Sequence, residues 1–393
     1  MLDLFHPNSC RDSGRLYFYP ACGRIGSVKK AVQFMVGFLL FGSAIFPAQA
    51  AFTSLYAFGD GMCTTTNNPT PGPLYYGLRR TNGRVWIEVL AQQQGLTYDS
   101  NKNMSYFGQD STAMLAHINS FTAPANATND LFVVWACDAD FVGYLESIYS
   151  PYGTNLSKWN NAIILSLTNH FKMVTNLYAK GARTLVMPNA VDITKVPAYD
   201  GGLNGGVTSN DWAFVRGRII YFNTNFIATL NQAKSLHPDL TIFVPDMFTL
   251  LNNVITNAAY YGLTNALYNG QSIDAVEFLP NVATNGPGTN FIFWDPSDPT
   301  AKFHSVIADV VQQLISPVQI TNLTALNGSN QLVVANVPIG QNGLVLGRTN
   351  LVLGNWTTNI TFVSSNTTQT VYVTNSCPVW FYWLKFPYTW AWP

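Results

Sequence analysis

The chain has 393 residues, 48% of them hydrophobic and 10% charged, with 20 basic against 20 acidic side chains. An average soluble domain is about 25% charged, so Asn and Thr here fill polar positions that Lys and Glu usually take. A formal net charge of zero and the lack of a basic stripe exclude nucleic acid as an expected partner.

Lys29-Lys30 precede an apolar run from Ala31 to Ile45, and Pro47-Ala-Gln-Ala50 ends in the small-x-small pattern of a signal-peptidase site. Residues 1–50 therefore read as a signal region, with the product secreted or periplasmic. The run is shorter than the roughly 20 residues a membrane span needs, so no stable span is expected after cleavage; a retained anchor is the competing reading. Residues 1–27 lack an apolar core and hold Cys10 and Cys22, which suits a true start near Val28. Cleavage leaves Cys63, Cys137 and Cys377, an odd count with at least one thiol over. No CxxC pair or His/Cys spacing suggests zinc.

Beyond the leader, strand-like and helix-like segments alternate. Ser54–Phe58 reads as a buried strand, Val85–Gln94 as a helix, and the apolar run Leu131–Trp135 as a second buried strand. Leu156–Lys180 places Trp159, Ile163, Leu167, Phe171, Val174 and Tyr178 at spacings of three and four, an amphipathic helix that Gly181 stops. Thr184–Pro188 is the next strand and Asp211–Leu236 the next long helix. Thr241–Val244 is a strand, after which Asp246 suits an N-cap. Phe291–Trp294 reads as the last strand, and Pro299 as the first turn of a helix reaching Leu314. This alternation predicts an α/β domain over 51–316, with a parallel sheet covered on both faces and functional loops at the carboxyl ends of its strands. Gly61, Ala139 and Asp298 all follow strand ends.

Residues 317–393 are rich in Thr, Asn and Val with period-two stretches, and predict a small all-β domain. Asn342-Gly343 is a turn signal. The terminal run Trp380–Pro393 is dense in aromatic rings, read as core filling of this domain and its joint, with a sugar-binding platform as the alternative.

The segment Ser54-Leu-Tyr-Ala-Phe-Gly-Asp-Gly-Met-Cys63 resembles the first block of the GDSL (SGNH) esterase/lipase family, Phe-Gly-Asp-Ser, with Gly61 at the nucleophilic serine. Asn103-Met-Ser-Tyr-Phe-Gly108 resembles the second block and puts Gly108 at an oxyanion-hole glycine. Trp135-Ala-Cys-Asp-Ala-Asp140 resembles the third, Gly-x-Asn-Asp, with Ala139 at the oxyanion asparagine. Asp295-Pro-Ser-Asp298 resembles the last, Asp-x-x-His, with Asp298 at the histidine. Val244–Val254 and Tyr261–Asn265 are similar to the family's middle region. The resemblance implies a three-layer sandwich around a central parallel sheet, flavodoxin-like, and serine-dependent hydrolysis of carboxylic esters with no cofactor. The implied partner is a small acyl ester or other small-molecule ligand, and the oligomeric state is not indicated.

Glycine has no side chain to attack a carbonyl, and an aspartate near pKa 4 is a poor base for a hydroxyl at neutral pH. Alanine in place of an oxyanion donor loses about 2.7–4 kcal/mol. These substitutions point to a pseudoenzyme or a changed function. Cys63 is an alternative nucleophile, although two residues of helix rotate it away from the elbow, and His304 reads as a structural histidine. Asp60, Asp138, Asp140, Asp295 and Asp298 would gather at one end of the sheet. They are read as buried hydrogen-bonding or solvated groups, or as a site for Ca²⁺ or another hard cation. Cys63 and Cys137 would lie on neighbouring loops, either as two buried thiols or as a disulfide across the site.

Overall fold

Two five-residue apolar runs, Leu55–Gly59 (β1) and Leu131–Trp135 (β2), pair in parallel from Leu55↔Leu131 to Gly59↔Trp135, and nearly every side chain on both is buried. The computed structural model describes residues 52–66, 72–148, 152–200, 209–350, 354–374 and 380–387. The expected signal region, Cys10, Cys22 and Cys377 lie outside the described residues. Among the described residues, no helix is long and apolar enough to cross a membrane. The chain divides into two compact units, 51–315 and 316–387.

In the larger unit β2 pairs with β3 (Thr184–Val186), which pairs with β4 (Thr241–Phe243), giving a parallel sheet of order β1-β2-β3-β4. The helices are α1 (Trp86–Gln93), α2 (Ser111–Ser120), α3 (Cys137–Ser147), α4 (Leu156–Ala179), α5 (Ser209–Leu236) and α6 (Met247–Thr256). A short hairpin of β5 (Leu267–Tyr268) and β6 (Gln271–Ser272) follows, then α7 (Ala275–Phe278) and α8 (Ala301–Ile315). Residues 103–106 extend the sheet beyond β1: Asn103 bridges Ala57 in parallel, and the N–H groups of Met104 and Tyr106 donate to Ala57 O and Gly59 O at 2.8 and 3.2 Å. Counting this rudimentary strand, the chain order across the sheet is 2-1-3-4-5, the flavodoxin-like order. Its crevice lies at the carboxyl end of the first strand, where successive connections leave in opposite directions.

α4 packs against α2 and α5, and α1 packs against α8. Polar contacts lock the α1–α8 pair. The N–H of Trp86, at the amino end of α1, donates to His304 Nδ1 at 3.3 Å, Gln93 donates to Asp309, and Gln94 donates to Gln312. Burial drives His304 down to about 3, so it stays neutral and accepts. Asp246 accepts from Thr249 N at the start of α6, the N-cap its sequence position suggests.

Phe291–Trp294 differs from its sequence reading. It is not a sheet strand: Phe291 and Phe293 make isolated bridges to Thr264, Asp274 and Pro299. The chain turns too soon for a strand to propagate, because Asp295 Oδ1 takes the N–H groups of both Ser297 and Asp298 and the N–H of Trp294 returns to Asp298 O at 2.8 Å. Asp298 therefore follows no sheet strand, whereas Ala139 follows the end of β2, in the first turn of α3.

The smaller unit holds two three-stranded antiparallel sheets. One has the order β10 (Thr357–Val363), β9 (Asn342–Arg348), β12 (Phe381–Lys385), and the other β11 (Thr368–Thr374), β8 (Ser329–Ala335), β7 (Gln319–Leu326). Alternate side chains, among them Leu332, Val334, Val345, Val371 and Val373, form its core with Tyr382, and Trp380 and Phe386 pack against it. Asn342-Gly343 is not a turn. It lies inside β9, where a Cβ on Gly343 would come within 2.7 Å of Phe362 Cζ and 2.8 Å of Phe386 Cε1, so glycine is needed to admit two rings. The turn falls earlier, where Gln341 N bonds Pro338 O and Gly340 has φ +80°.

Two outcomes check these packing relations. Trp159 on α4 is fully buried, with the rings of Phe141, Tyr144, Tyr152 and Phe214 all within 6.2 Å. Trp159→Ala is expected to lower the unfolding free energy in urea by about 3–5 kcal/mol; a loss under about 1 kcal/mol contradicts the packing. Burial pushes the Asp309 carboxyl, which accepts from Gln93, up to about 8. A carboxyl raised this way stabilises the fold when protonated, so its contribution is present below pH 4 and is lost as pH rises towards 8. The difference in stability between wild type and Asp309→Asn should therefore shift towards the variant across that window, and a constant difference would contradict the assignment.

Candidate functional site

The chain leaves β1 through a tight turn at Asp60 and Gly61, closed by the N–H groups of Cys63 and Thr64, which both return to Asp60 O at 3.1 Å. The Asp60 side chain is buried; its Oδ1 accepts from Met62 N at 2.9 Å, and the Ala139 N–H also favours its charge. Burial outweighs these donors and raises Asp60 to about 6. Cys63 folds back over the strand end, where a Cβ on Gly59 would stand 2.6 Å from its Sγ. It is fully buried, it is absent from the wall of the cavity described below, and burial pushes its thiol well above the ordinary value. A protonated thiol facing the core is no nucleophile.

Gly61 faces the loop that precedes α8. A Cβ at this position would lie 3.4 Å from Asp298 Oδ1 and 3.1 Å from Phe107 Cδ2. The fold thus brings together positions 61 and 298, as expected for a nucleophile and its base, but the groups that meet are a hydrogen atom and a carboxyl. Asp298 is held by Asp295, whose Oδ1 accepts from the N–H groups of Ser297 and Asp298 at 2.9 and 2.8 Å. Asp295 Oδ2 accepts from Tyr75 Oη and Arg80 Nη2, both at 2.9 Å. Asp298 has no such set. Its Oδ2 lies 3.4 Å from Arg80 Nε as an ion pair but in no hydrogen bond. Burial and the neighbouring Asp295 raise its carboxyl well above the usual range, against the pull of Arg80.

These residues border a cavity of about 480 Å³, whose lining includes Asp60, Gly61, Phe107, Gly108, Asp138, Ala139 and Asp298. Gly108 enters with φ +75°, a left-handed conformation that glycine adopts without strain. Ala139 presents a methyl group and so offers no side-chain donor. Asp138 bonds the Val191 N–H at 2.9 Å and is raised by burial and by Asp60. The lining also includes the apolar side chains of Val142, Ile193, Val196, Leu250, Leu251 and Ile307. His304 is absent from the wall.

Asp140 lies outside the cavity wall. It takes the Ser111 N–H at the start of α2 at 2.9 Å and the Ser166 hydroxyl of α4, tying those helices together. The described residues contain no group of three or more His, Cys, Asp or Glu that could hold a metal ion. The alternative reading of these aspartates as a hard-cation site has no such group behind it among the described residues. The disulfide is not formed: Cys63 and Cys137 are both free and buried, with Cys137 Sγ donating to Pro188 O at 3.2 Å.

Sequence reasoning missed Arg80 and Phe107. The Arg80 guanidinium lies 4.7 Å over the Phe107 ring and bonds Asp295, so it holds two sides of the site at once. The adjacent pair Arg79-Arg80, in a chain with 20 basic residues, was the available signal. Its partners lie 215 residues away in the chain, beyond any local pattern.

The GDSL-like Lipase/Acylhydrolase family matches residues 55–311. Two GDSL esterase/lipases of Arabidopsis thaliana are 23% identical over 212 residues, covering 51% of this chain and 54% of the relative, and 28% identical over 186 residues, covering 46% and 49%. The chain spans about half the length of the curated relatives it matches. Among solved structures, an acetylxylan esterase from Geobacillus stearothermophilus is similar, with a TM-score of 0.40 and 9% identity over 68% of this chain and 96% of that one. With its parallel sheet, its flanking helices and a family match running from β1 into α8, this chain belongs to the GDSL-like lipase/acylhydrolase family.

Proposed function

We propose that this chain is an exported member of the family in which carboxylic-ester hydrolysis is impaired or lost, and which keeps the ester pocket for a small-molecule ligand. The observation that carries this reading is the meeting of Gly61 with Asp298, where a Cβ would stand 3.4 Å from a carboxyl oxygen. Serine-type catalysis needs a nucleophile within hydrogen-bond reach of a base, and neither group has the required chemistry. The methyl group of Ala139 supports the same reading, since one oxyanion donor is absent. Loss of a triad member leaves only the catalysis that binding and the oxyanion hole supply, about 10³–10⁴-fold over water. Retention of a cavity with apolar walls favours ligand binding over a purely structural role. The Lys29-Lys30, apolar run and Ala50 pattern supports export.

Two measurements test this. Wild-type protein should give no turnover of a short-chain chromogenic ester above background, whereas Gly61→Ser/Ala139→Asn/Asp298→His should turn over measurably. Phe107, 42% exposed, needs to shift by only a few tenths of an ångström to admit the serine. Wild-type turnover at an ordinary enzymatic rate, about 1–10³ s⁻¹, contradicts the proposal. N-terminal sequencing of the protein from the exported fraction should begin near Ala51; an intact leader in that fraction would count against cleavage.

A further inference from the structure

We propose that the outer face of α4 and α5 docks the protein onto an anionic lipid bilayer. This goes beyond the reading of the pocket and does not depend on it. Residues 159–170 of α4 run alongside residues 214–226 of α5. The rings of Trp159 and Phe214 lie 6.0 Å apart, Arg218 Nη1 donates to Asn160 Oδ1 at 3.2 Å, and the rings of His170 and Phe226 lie 5.0 Å apart. Ile164 therefore stands alongside Ile220 and Tyr221. The two helices bury one side, with Trp159, Ile163 and His170 on α4 and Phe222 and Phe226 on α5. On the other side Ile164, Leu165, Ile220, Tyr221 and Ile227 are 43–57% exposed. Ile220, Thr224 and Ile227 recur at spacings of four and three, so they form one stripe. Soluble monomers rarely leave a contiguous apolar patch of this kind bare.

Charge decides what covers the patch. α4 carries Lys158 and Lys172 and no acidic residue; α5 carries Arg216, Arg218 and Lys234 against Asp211 alone. Asp211 is buried and accepts from the Tyr152 N–H at 3.0 Å. Arg216 pairs with buried Asp192 at 2.7 Å. That leaves Lys158, Lys172, Arg218 and Lys234 outside the ion pairs formed among the described residues. Acids on neighbouring elements are engaged elsewhere: Asp110 and Glu146 line the cavity, and Asp239 pairs with Arg183 at 2.6 Å. A second copy of the chain, meeting this face with the same face, would set cation against cation. A polyanion without an apolar part would meet the cations and leave the isoleucines in water. An anionic bilayer satisfies both, because apolar side chains enter the boundary between headgroups and acyl chains while the cations meet phosphate. Tyr221 suits that boundary, with an apolar ring, a polar hydroxyl and the Arg218 guanidinium 5.2 Å from its centre.

The test is co-sedimentation with vesicles of phosphatidylcholine alone, or of equimolar phosphatidylcholine and phosphatidylglycerol. It uses the chain from Ala51, which holds both compact units and lacks the apolar run at 31–45 that would bind lipid by itself. Partitioning onto the anionic vesicles should exceed that onto the neutral ones by about tenfold or more, and should fall when salt shortens the Debye length to about 3 Å. Lys158→Glu/Lys172→Glu and Ile164→Gln/Ile227→Gln change exposed positions only, so both variants should keep the wild-type melting temperature. Each should lower partitioning onto the anionic vesicles by about tenfold. Equal partitioning onto the two kinds of vesicle, or none onto either, overturns the proposal. So does anionic binding that survives the glutamine pair, since charge alone then accounts for it. A lipid-free dimer in sedimentation equilibrium that the glutamine pair dissociates also overturns it and assigns the face to a second copy.

Discussion

The carboxylate of Asp295 accepts hydrogen bonds from Tyr75, Arg80 and the N–H groups of Ser297 and Asp298, and these bonds place everything at the mouth of the cavity. Two of them turn the chain after Trp294 and set Asp298 opposite Gly61. The bond from Arg80 draws that side chain in, which lays its guanidinium across Phe107 and beside the Asp298 carboxyl. Charge-assisted bonds of this kind are about twice as strong as neutral ones. The loop is thus fixed by interactions that do not depend on a catalytic histidine, so the scaffold survives a substitution at position 298.

The same end of the sheet concentrates buried acid. Asp60, Asp138 and Asp298 are all raised above the ordinary carboxylate value, chiefly by burial. The folded state therefore holds protons that the unfolded chain releases near pH 4, and the stability these groups contribute is lost as pH rises through their folded values. His170 and His304 act in the opposite sense. Burial lowers them to about 4 and about 3, so their contribution is lost as pH falls below the unfolded value near 6.5.

Much of the fold was legible because the sheet is buried on both faces. Leu131–Trp135 is a continuous apolar run and nothing else, and the three-and-four spacing through Trp159, Ile163 and Val174 has one structural meaning. The failures came where a local signal met a distant partner. Asn342-Gly343 carries a turn signal, yet Phe362 and Phe386 need the glycine inside a strand. Phe291–Trp294 has a strand's composition, but Asp295 turns the chain before pairing can extend. At the site, the meeting of positions 61 and 298 was legible through the resemblance alone, 237 residues apart in sequence but facing each other in the fold. Arg80 was invisible because its role depends on a loop more than 200 residues away. The inward turn of Cys63, which removes it as a nucleophile and as a disulfide partner, follows from packing on Gly59 that no pattern reports.

The central claim is that no activated nucleophile stands at the carboxyl end of β1. Intact-mass analysis after incubation with a fluorophosphonate tests it most directly, since such a reagent forms a stable adduct with an activated serine or comparable nucleophile. The account predicts an unchanged mass for the wild-type chain. A stoichiometric adduct mapping to the cavity would contradict it, and its attachment site would identify the nucleophile that the structure does not place beside Gly61.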